Sequence, residues 1–148
     1  MLYLVMRTGI LKFVSDIRLD YEADARVPVY DDCDKVRKKS LDFLSKFSIK
    51  VSEWLRLIGN VNSKSWKDFL TYRGERAGAA NRSYYAAYVF LEKVRIALNE
   101  EKSNSRILAE LEFGEAGRPL KHDQSGSKSS RHQVQQLHQH HHQMIGDQ

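Results

Sequence analysis

The strongest constraint on the fold of this 148-residue chain is a helical repeat of apolar residues through its middle. Starting at Val51, apolar side chains stand at positions i, i+3, i+4 and i+7, which places them on one face of a short helix. The clear stripes of this kind occupy residues 33–47, 51–58, 63–72 and 83–98. In the first of them Leu41 is predicted on the apolar face and Arg37 on or beside the solvated face. A weaker stripe follows Arg106. Together they predict an all-α fold, a compact bundle of four or five helices over about residues 31–112.

Residues that favour helix starts stand in front of these stripes. Asp31 or Asp32 is placed to cap the first helix and Asn62 the third. Asn81 or Ser83 is placed to cap the fourth, longest helix. Short polar side chains at such positions accept hydrogen bonds from the free amides of the first helical turn. The boundaries of the predicted helices therefore agree with their apolar stripes.

Composition divides the chain into three parts. Residues 1–26 are predicted to be an N-terminal extension, in which Arg7 and Lys12 break any apolar run long enough to span a bilayer. Residues 27–112 form the helical domain. Residues 113–148 are predicted to be a disordered Gln/His-rich tail, because such a polar segment buries too little apolar surface to offset the lost chain entropy.

The positive charge of the chain is concentrated in one segment. The whole sequence has 24 basic and 19 acidic side chains, a net charge of +5. Residues 33–98 alone hold 14 basic and 6 acidic side chains, so the excess comes from this segment. A concentrated positive field favours a polyanionic partner such as nucleic acid, an acidic protein or an anionic membrane surface. The alternative is a domain whose lysines and arginines only solvate its outer face.

The reactive groups of the helical part are few. It contains one cysteine, Cys33, and no histidine up to Glu112, which excludes disulfides, Cys-rich metal sites and histidine acid–base catalysis there. Cys33 is expected to be a structural thiol. Four histidines stand close together in the tail: His138, His140, His141 and His142. They would hold a divalent metal only loosely, and a low-complexity tail without function is favoured. We therefore predict no catalytic residues, cofactor, metal site or small-molecule substrate.

Residues 50–70 match the template of a helix-turn-helix unit. The first helix presents an apolar face, Gly59 permits a sharp reversal, and Val61 fills the gap between the two helices. The second helix, over residues 62–72, directs its aromatic residues to the core. Its outward positions near the N-terminus are Ser63, Lys64 and Lys67. Small, polar or cationic side chains at these positions can approach a groove floor and phosphates.

The favoured interpretation is a non-enzymatic, regulatory, nucleic-acid-binding module whose second helix enters the major groove of duplex DNA. The candidate contact residues are Ser63, Lys64, Lys67, Arg73, Arg76 and Arg82. The first three would touch base edges or phosphates, and the three arginines would hold the phosphate backbone. Asp68 lies on the same helix and would oppose phosphate. One copy of so small a domain would bind weakly, so a homodimer or a larger complex is plausible.

The alternative interpretation is a protein-interaction adaptor with the same helical fold. It predicts an exposed apolar patch, which the sequence places on the wide face of the helix at residues 83–98. Neither interpretation involves a membrane. The DNA-binding interpretation implies a nuclear protein, and the alternative location is cytoplasmic.

Three stretches of the chain form a distinctive set: VPVYDDCDKVRKK at 27–39, VNSKSWKDF at 61–69 and SYYAAYVFLEKVR at 83–95. Gly74 and Gly78 lie between the second and the third stretch, and Lys102, Ser103 and Arg106 follow the last. This set resembles an uncharacterised domain family of filamentous fungi with a helix-turn-helix-like core. The resemblance implies an all-α domain of fungal origin and no particular reaction. Ser40 departs from the family pattern, where an aliphatic residue is expected.

Overall fold

The computed structural model describes the backbone of residues 2–121 and the side chains of residues 6–121. Within that part the chain forms six α-helices and no strand. The helices are α1 (Leu2–Asp16), α2 (Cys33–Lys46), α3 (Val51–Leu57), α4 (Ser63–Thr71), α5 (Arg82–Ala97) and α6 (Asn104–Phe113). A 3-10 turn at Gly114–Ala116 follows. The predicted all-α class is confirmed. The disorder predicted for the tail beyond Lys121 lies outside the described residues.

Side-chain caps fix where four of the helices begin. Asp32, Asn62, Asn81 and Ser103 each accept a hydrogen bond from a backbone N–H two or three residues ahead, at 2.7–3.2 Å. Such a cap replaces one of the partners that the first helical turn lacks. The predicted caps at Asn62 and Asn81 are confirmed, and at the start of α2 the cap is Asp32.

The core is built around α5, against which α1, α2 and α4 pack. Trp54 of α3 stands edge-on to Phe90 of α5 and to Trp66 of α4, with ring centroids 5.3 and 5.7 Å apart. Both tryptophans are at most 1% exposed. Aromatic pairs in this arrangement each contribute about 0.5–1.5 kcal/mol beyond the burial of their area. The cluster holds the short helices α3 and α4 in place.

The N-terminal segment belongs to the folded unit, which corrects its assignment to an extension. Ile10 and Val14 of α1 are buried in the core. Arg7 forms an ion pair with Glu53 of α3, and Glu22 pairs with Lys93 of α5 at 2.7 Å. The inward stripe was hidden in the sequence because apolar residues stand on both sides of α1. The predicted range of about residues 31–112 holds five helices, α2 to α6, as expected, and α1 adds a sixth to the described bundle.

The boundary of the predicted tail also lies further along the chain. The backbone N–H of Arg118 donates to the carbonyl oxygen of Val29 at 2.7 Å, and Leu120 packs on the core. Gly117 makes this approach possible, because a Cβ there would lie 2.6 Å from the backbone nitrogen of Val29. Residues 117–120 are held by hydrogen bonds to backbone carbonyl oxygens of Val29 and Tyr30. Such bonds require no repeat of apolar residues, so the sequence pattern does not show where the folded part ends.

Two residues of α2 lie opposite to their predicted sides. Leu41, predicted on the apolar face, is 49% exposed. Arg37, predicted on or beside the solvated face, is buried, and its guanidinium donates to the carbonyl oxygens of Gly74 and Ala77, each at 2.8 Å. An ion pair with Asp34 at 2.6 Å completes its partners. A buried cation is tolerated here because the loop at residues 73–80 satisfies its donors.

Candidate nucleic-acid interface

A tight turn joins α3 to α4. Gly59 has a φ of 97° and Asn60 a φ of 60°, so the chain reverses through two left-handed residues. The N–H of Val61 then donates to the carbonyl oxygen of Leu55 at 3.1 Å, and the Val61 side chain is buried between the helices. The positions that sequence analysis assigned to Gly59 and Val61 are therefore observed.

Helix α4 buries one face and exposes the other. Trp66 and Phe69 are at most 1% exposed. Ser63, Lys64 and Lys67 are exposed to solvent. Because residues three and four apart are neighbours on a helix, these three side chains form one outward surface over the first two turns. We call Ser63, Lys64 and Lys67 the α4 face.

One carboxylate adjoins the α4 face. The ammonium of Lys64 lies 3.7 Å from the carboxylate of Asp68, and the Lys64 side chain remains 86% exposed. An exposed pair at this distance contributes at most a few tenths of a kcal/mol, so Lys64 stays free to exchange Asp68 for another anion. Lys67 has no ion-pair partner among residues 6–121.

The start of α5 docks beside the α4 face. The side-chain amide of Asn81 donates to the carbonyl oxygen of Ser65 at 2.9 Å. Arg82 donates from Nη2 to the carbonyl oxygen of Gly59 at 3.0 Å. These two bonds hold the guanidinium of Arg82 next to the turn that precedes Ser63, with the side chain still exposed. Four of the six candidate contact residues are therefore brought together.

The remaining two candidates lie elsewhere. Arg73 stands at the far end of α4, where it donates to the carbonyl oxygens of Leu70 and Tyr72 at 2.9 and 3.0 Å. Arg76 is half-buried and lines a cavity of about 250 Å³ together with Arg118. Arg73 therefore caps the C-terminal end of α4, and Arg76 belongs to the 250 Å³ cavity and not to the α4 face.

Ion pairs engage most of the acidic side chains in residues 33–98. Four of the six acidic side chains in residues 33–98 have a cationic partner: Asp34, Glu53, Asp68 and Glu92. Three of these carboxylates, Asp34, Glu53 and Glu92, belong to other helices than α4 and are paired with Arg37, Arg7 and Arg106. Asp68 is therefore the one paired carboxylate of this segment that stands on α4.

The charged groups that sequence reasoning missed are buried. Glu92 accepts hydrogen bonds from Arg106 at 2.8 and 3.1 Å and from Arg95 at 2.7 Å. Burial alone would raise the pKa of Glu92, but the bonds from the two arginines outweigh it and lower the pKa to about 2.

One of the buried charges had a signal in the sequence. Arg37 lies on the helix face between Val36 and Ser40, and a residue at that position faces inward.

A cavity of about 460 Å³ lies between α2 and the end of α5, and its lining includes charged side chains. Asp31 pairs with Lys39 at 2.6 Å, and Glu92 pairs with Arg106, so these groups neutralise each other. Among the described residues there is no cluster of three His, Cys, Asp or Glu side chains able to hold a metal. Cys33 is fully buried, and burial raises its pKa to about 12.

Comparison with known proteins identifies a family whose description names no function. A family model matches residues 27–101, and its description is a domain of unknown function. No curated protein and no solved structure matches the chain. In the part of the chain that the structure describes, no helix is long and apolar enough to cross a membrane.

Proposed function

The chain belongs to this family, the domain of unknown function DUF7726, and we propose that it binds nucleic acid, with duplex DNA as the partner, through the α4 face. The observation that carries the proposal is the exposure of Ser63, Lys64 and Lys67 on the second helix of a tightly turned pair. A helix in this position presents its first turns to the major groove in helix-turn-helix proteins.

Arg82 extends this surface across the turn. Its bond to the carbonyl oxygen of Gly59 fixes the guanidinium close to the N-terminus of α4. The free backbone N–H groups at a helix N-terminus, together with nearby cationic side chains, bind phosphate oxygens favourably. In the proposed complex Lys64, Lys67 and Arg82 neutralise phosphates, and Ser63 approaches the bases. Phosphate contacts supply most of the affinity, so binding depends on salt.

The test is a titration of duplex DNA at several salt concentrations. The logarithm of the binding constant should fall linearly with the logarithm of the salt concentration, with a slope of about −0.9 for each phosphate neutralised. The double variant Lys64→Ala/Lys67→Ala should flatten this slope by about 2 and weaken binding. An unchanged slope removes both lysines from the interface.

The matched control removes the same two charges from elsewhere. Lys12 of α1 and Lys121 at the end of the described residues are both exposed. The variant Lys12→Ala/Lys121→Ala should keep the slope of the original protein. If both double variants weaken binding equally, the effect comes from overall charge, and the α4 face is not the interface.

A second candidate function is protein interaction, favoured by an apolar patch on α6. Ile107, Leu108 and Leu111 are 45%, 60% and 79% exposed. The patch is not on the wide face of α5, where sequence analysis expected it, because α1, α2 and α4 cover that helix. In α5 the one exposed large apolar side chain is Ile96. This function predicts binding that survives Lys64→Ala/Lys67→Ala and is lost in Leu111→Asp.

Several finer expectations stay predictions beside this proposal. They are the helix-turn-helix mode of binding, the fungal origin, the nuclear location and the absence of an enzymatic activity. Selection from a random duplex pool would test the binding mode directly. Enrichment of one sequence would support groove recognition, and retention of unrelated sequences would support phosphate contacts alone.

A further inference from the structure

The cavity that Arg76 lines lies where the start of α2, the loop at residues 73–80 and the end of α6 meet. Its volume is about 250 Å³, and its walls include the buried ring of Tyr84 and the half-buried ring of Phe113. Pockets that hold drug-sized ligands have volumes of about 300–1,000 Å³. A ligand of this cavity is therefore small, and it meets apolar surface.

The charged side chains in the wall of this cavity are balanced but unpaired. Three are cations and three are carboxylates: Lys35, Arg76, Arg118, Asp32, Glu75 and Glu112. None of the six forms an ion pair with any of residues 6–121. The buried charges of Glu92 and Arg106, in contrast, are paired with each other. The wall of the cavity therefore keeps positive and negative groups apart.

The partial burial of these groups makes the missing partners costly. Arg76 is half-buried, and its side chain forms no hydrogen bond among residues 6–121. Arg118 is also half-buried, and it uses only Nε, which donates to the carbonyl oxygen of Tyr30 at 2.8 Å. Asp32 is 6% exposed, and one of its oxygens accepts from the N–H of Lys35 at 2.8 Å. Charged groups that lose water gain from a ligand that supplies the opposite charge.

We propose that this cavity binds a small dipolar ion, a free α-amino acid with an apolar side chain. The guanidinium groups of Arg76 and Arg118 bind its carboxylate, because a guanidinium can donate two parallel hydrogen bonds to a carboxylate. The carboxylates of Asp32 and Glu112 accept hydrogen bonds from its ammonium. The ring of Phe113 contacts its side chain. The sequence did not predict such a ligand, because the lining residues come from separate segments of the chain.

The balance of charge in the wall favours a dipolar ion over a simple anion or a simple cation. A lone carboxylate or phosphate would gain from the three cations but would also meet the three carboxylates. A simple amine would meet the three cations in the same way. Like charges close together cost free energy, and opposite charges recover it. A ligand that carries both charges is attracted by both kinds of group.

The experiment is an NMR titration of the full chain, without DNA, with free leucine, methionine and phenylalanine. At least one of them should bind with a dissociation constant below about 1 mM. Two derivatives of the amino acid that binds test its charges. The N-acetyl derivative lacks the cation, and the amide lacks the anion. Each should bind about tenfold more weakly or worse, because one charged hydrogen-bond partner is lost.

Two variants remove one charge each from the wall. Arg76→Gln removes a guanidinium without a hydrogen bond among residues 6–121, so the thermal midpoint without ligand should not change. It should weaken binding of the free amino acid about tenfold and strengthen binding of the amide, since one repelling cation is gone. Glu112→Gln, at an exposed residue, should weaken binding of the free amino acid and strengthen binding of the N-acetyl derivative. A purely structural role would shift all three compounds in the same direction.

The matched control is Arg56→Gln, since Arg56 is an exposed arginine of α3 outside the cavity. It should leave every affinity unchanged. Three results would overturn the inference: no binding of any of the three amino acids, equal binding of the derivatives, or an unchanged affinity in Arg76→Gln. The titration contains no DNA and alters no residue of the α4 face, so its failure leaves the proposed function standing.

Discussion

Glu92 of α5 and Arg106 of α6 share two hydrogen bonds, 2.8 and 3.1 Å long, and both side chains are about 90% buried. The guanidinium of Arg106 also lies 4.8 Å from the centroid of the Tyr30 ring. The pair fastens α6 to α5, and Ala109 is the other buried residue of this helix. This is why α6 can turn its aliphatic side chains outward.

The first prediction concerns the pair itself. Glu92→Gln removes the buried carboxylate from Arg106 and leaves it only the longer pair with Glu110 at 3.2 Å, so the free energy of unfolding at pH 7 should fall by about 3 kcal/mol. Urea denaturation followed by circular dichroism measures this change. Glu101→Gln, at an exposed carboxylate, is the control and should change the free energy of unfolding by less than about 0.5 kcal/mol.

The same pair predicts a dependence on pH. The pKa of Glu92 is about 2 in the folded chain, against an ordinary value of 4.5. The unfolded chain therefore binds the proton first as pH falls, and the stabilisation present above pH 4.5 is lost between about pH 4.5 and pH 2. The difference in stability between the original protein and Glu92→Gln should shrink over that interval. A constant difference from pH 7 to pH 2.5 would contradict this assignment.

A second prediction compares two glycines that both have positive φ. Gly117 has a φ of 74°, and a Cβ there would meet the backbone of Val29 and Pro28 at 2.6–3.0 Å. Gly114 has a φ of 62° and open space around the Cβ position. Gly114→Ala should cost about 1–3 kcal/mol of backbone strain, because its φ of 62° and ψ of −157° are adopted almost only by glycine, and Gly117→Ala should cost clearly more. Equal losses in thermal denaturation would mean that residues 117–120 are not held against residues 28–29.

A third prediction concerns Ser40, which is fully buried and whose hydroxyl has no hydrogen-bond partner among residues 6–121. Ser40→Ala removes this buried, unsatisfied hydroxyl. Ser45→Ala removes a hydroxyl of the same helix that is exposed and can hydrogen-bond to water. Both changes raise helix propensity, so the comparison isolates the buried hydroxyl. Ser40→Ala should stabilise the protein by about 1 kcal/mol more than Ser45→Ala. A lower stability for Ser40→Ala would reveal a partner for the hydroxyl.

The fourth prediction concerns Cys33. Its thiol is fully buried, and burial raises the pKa to about 12. The thiolate is the reactive form, so a thiol reagent at pH 8 should modify the folded chain at least a hundred times more slowly than the chain in urea. The chain in urea is the control for intrinsic reactivity. Rapid modification of the folded chain would contradict a purely structural thiol.

Local patterns predicted much of the fold because they act within a few residues. The stripe from Val51, the turn at Gly59 and the cap at Asn62 all match the structure. The exposure of Lys64 and Lys67 followed from the same helical geometry. Arg76 lies apart from the α4 face and lines a cavity together with Arg118, which is 42 positions away in the chain.

The sequence alone therefore determined the helix class, most helix boundaries and the outward side of α4, since each depends on neighbours three or four residues apart. Tertiary structure decided the burial of Arg37, the attachment of α1 and the outward turn of α6. These features depend on partners far along the chain, such as Glu92 for Arg106 and Gly74 for Arg37. A buried charge is stable only where folding supplies such a partner, and the local period of apolar residues does not show which residue that partner is.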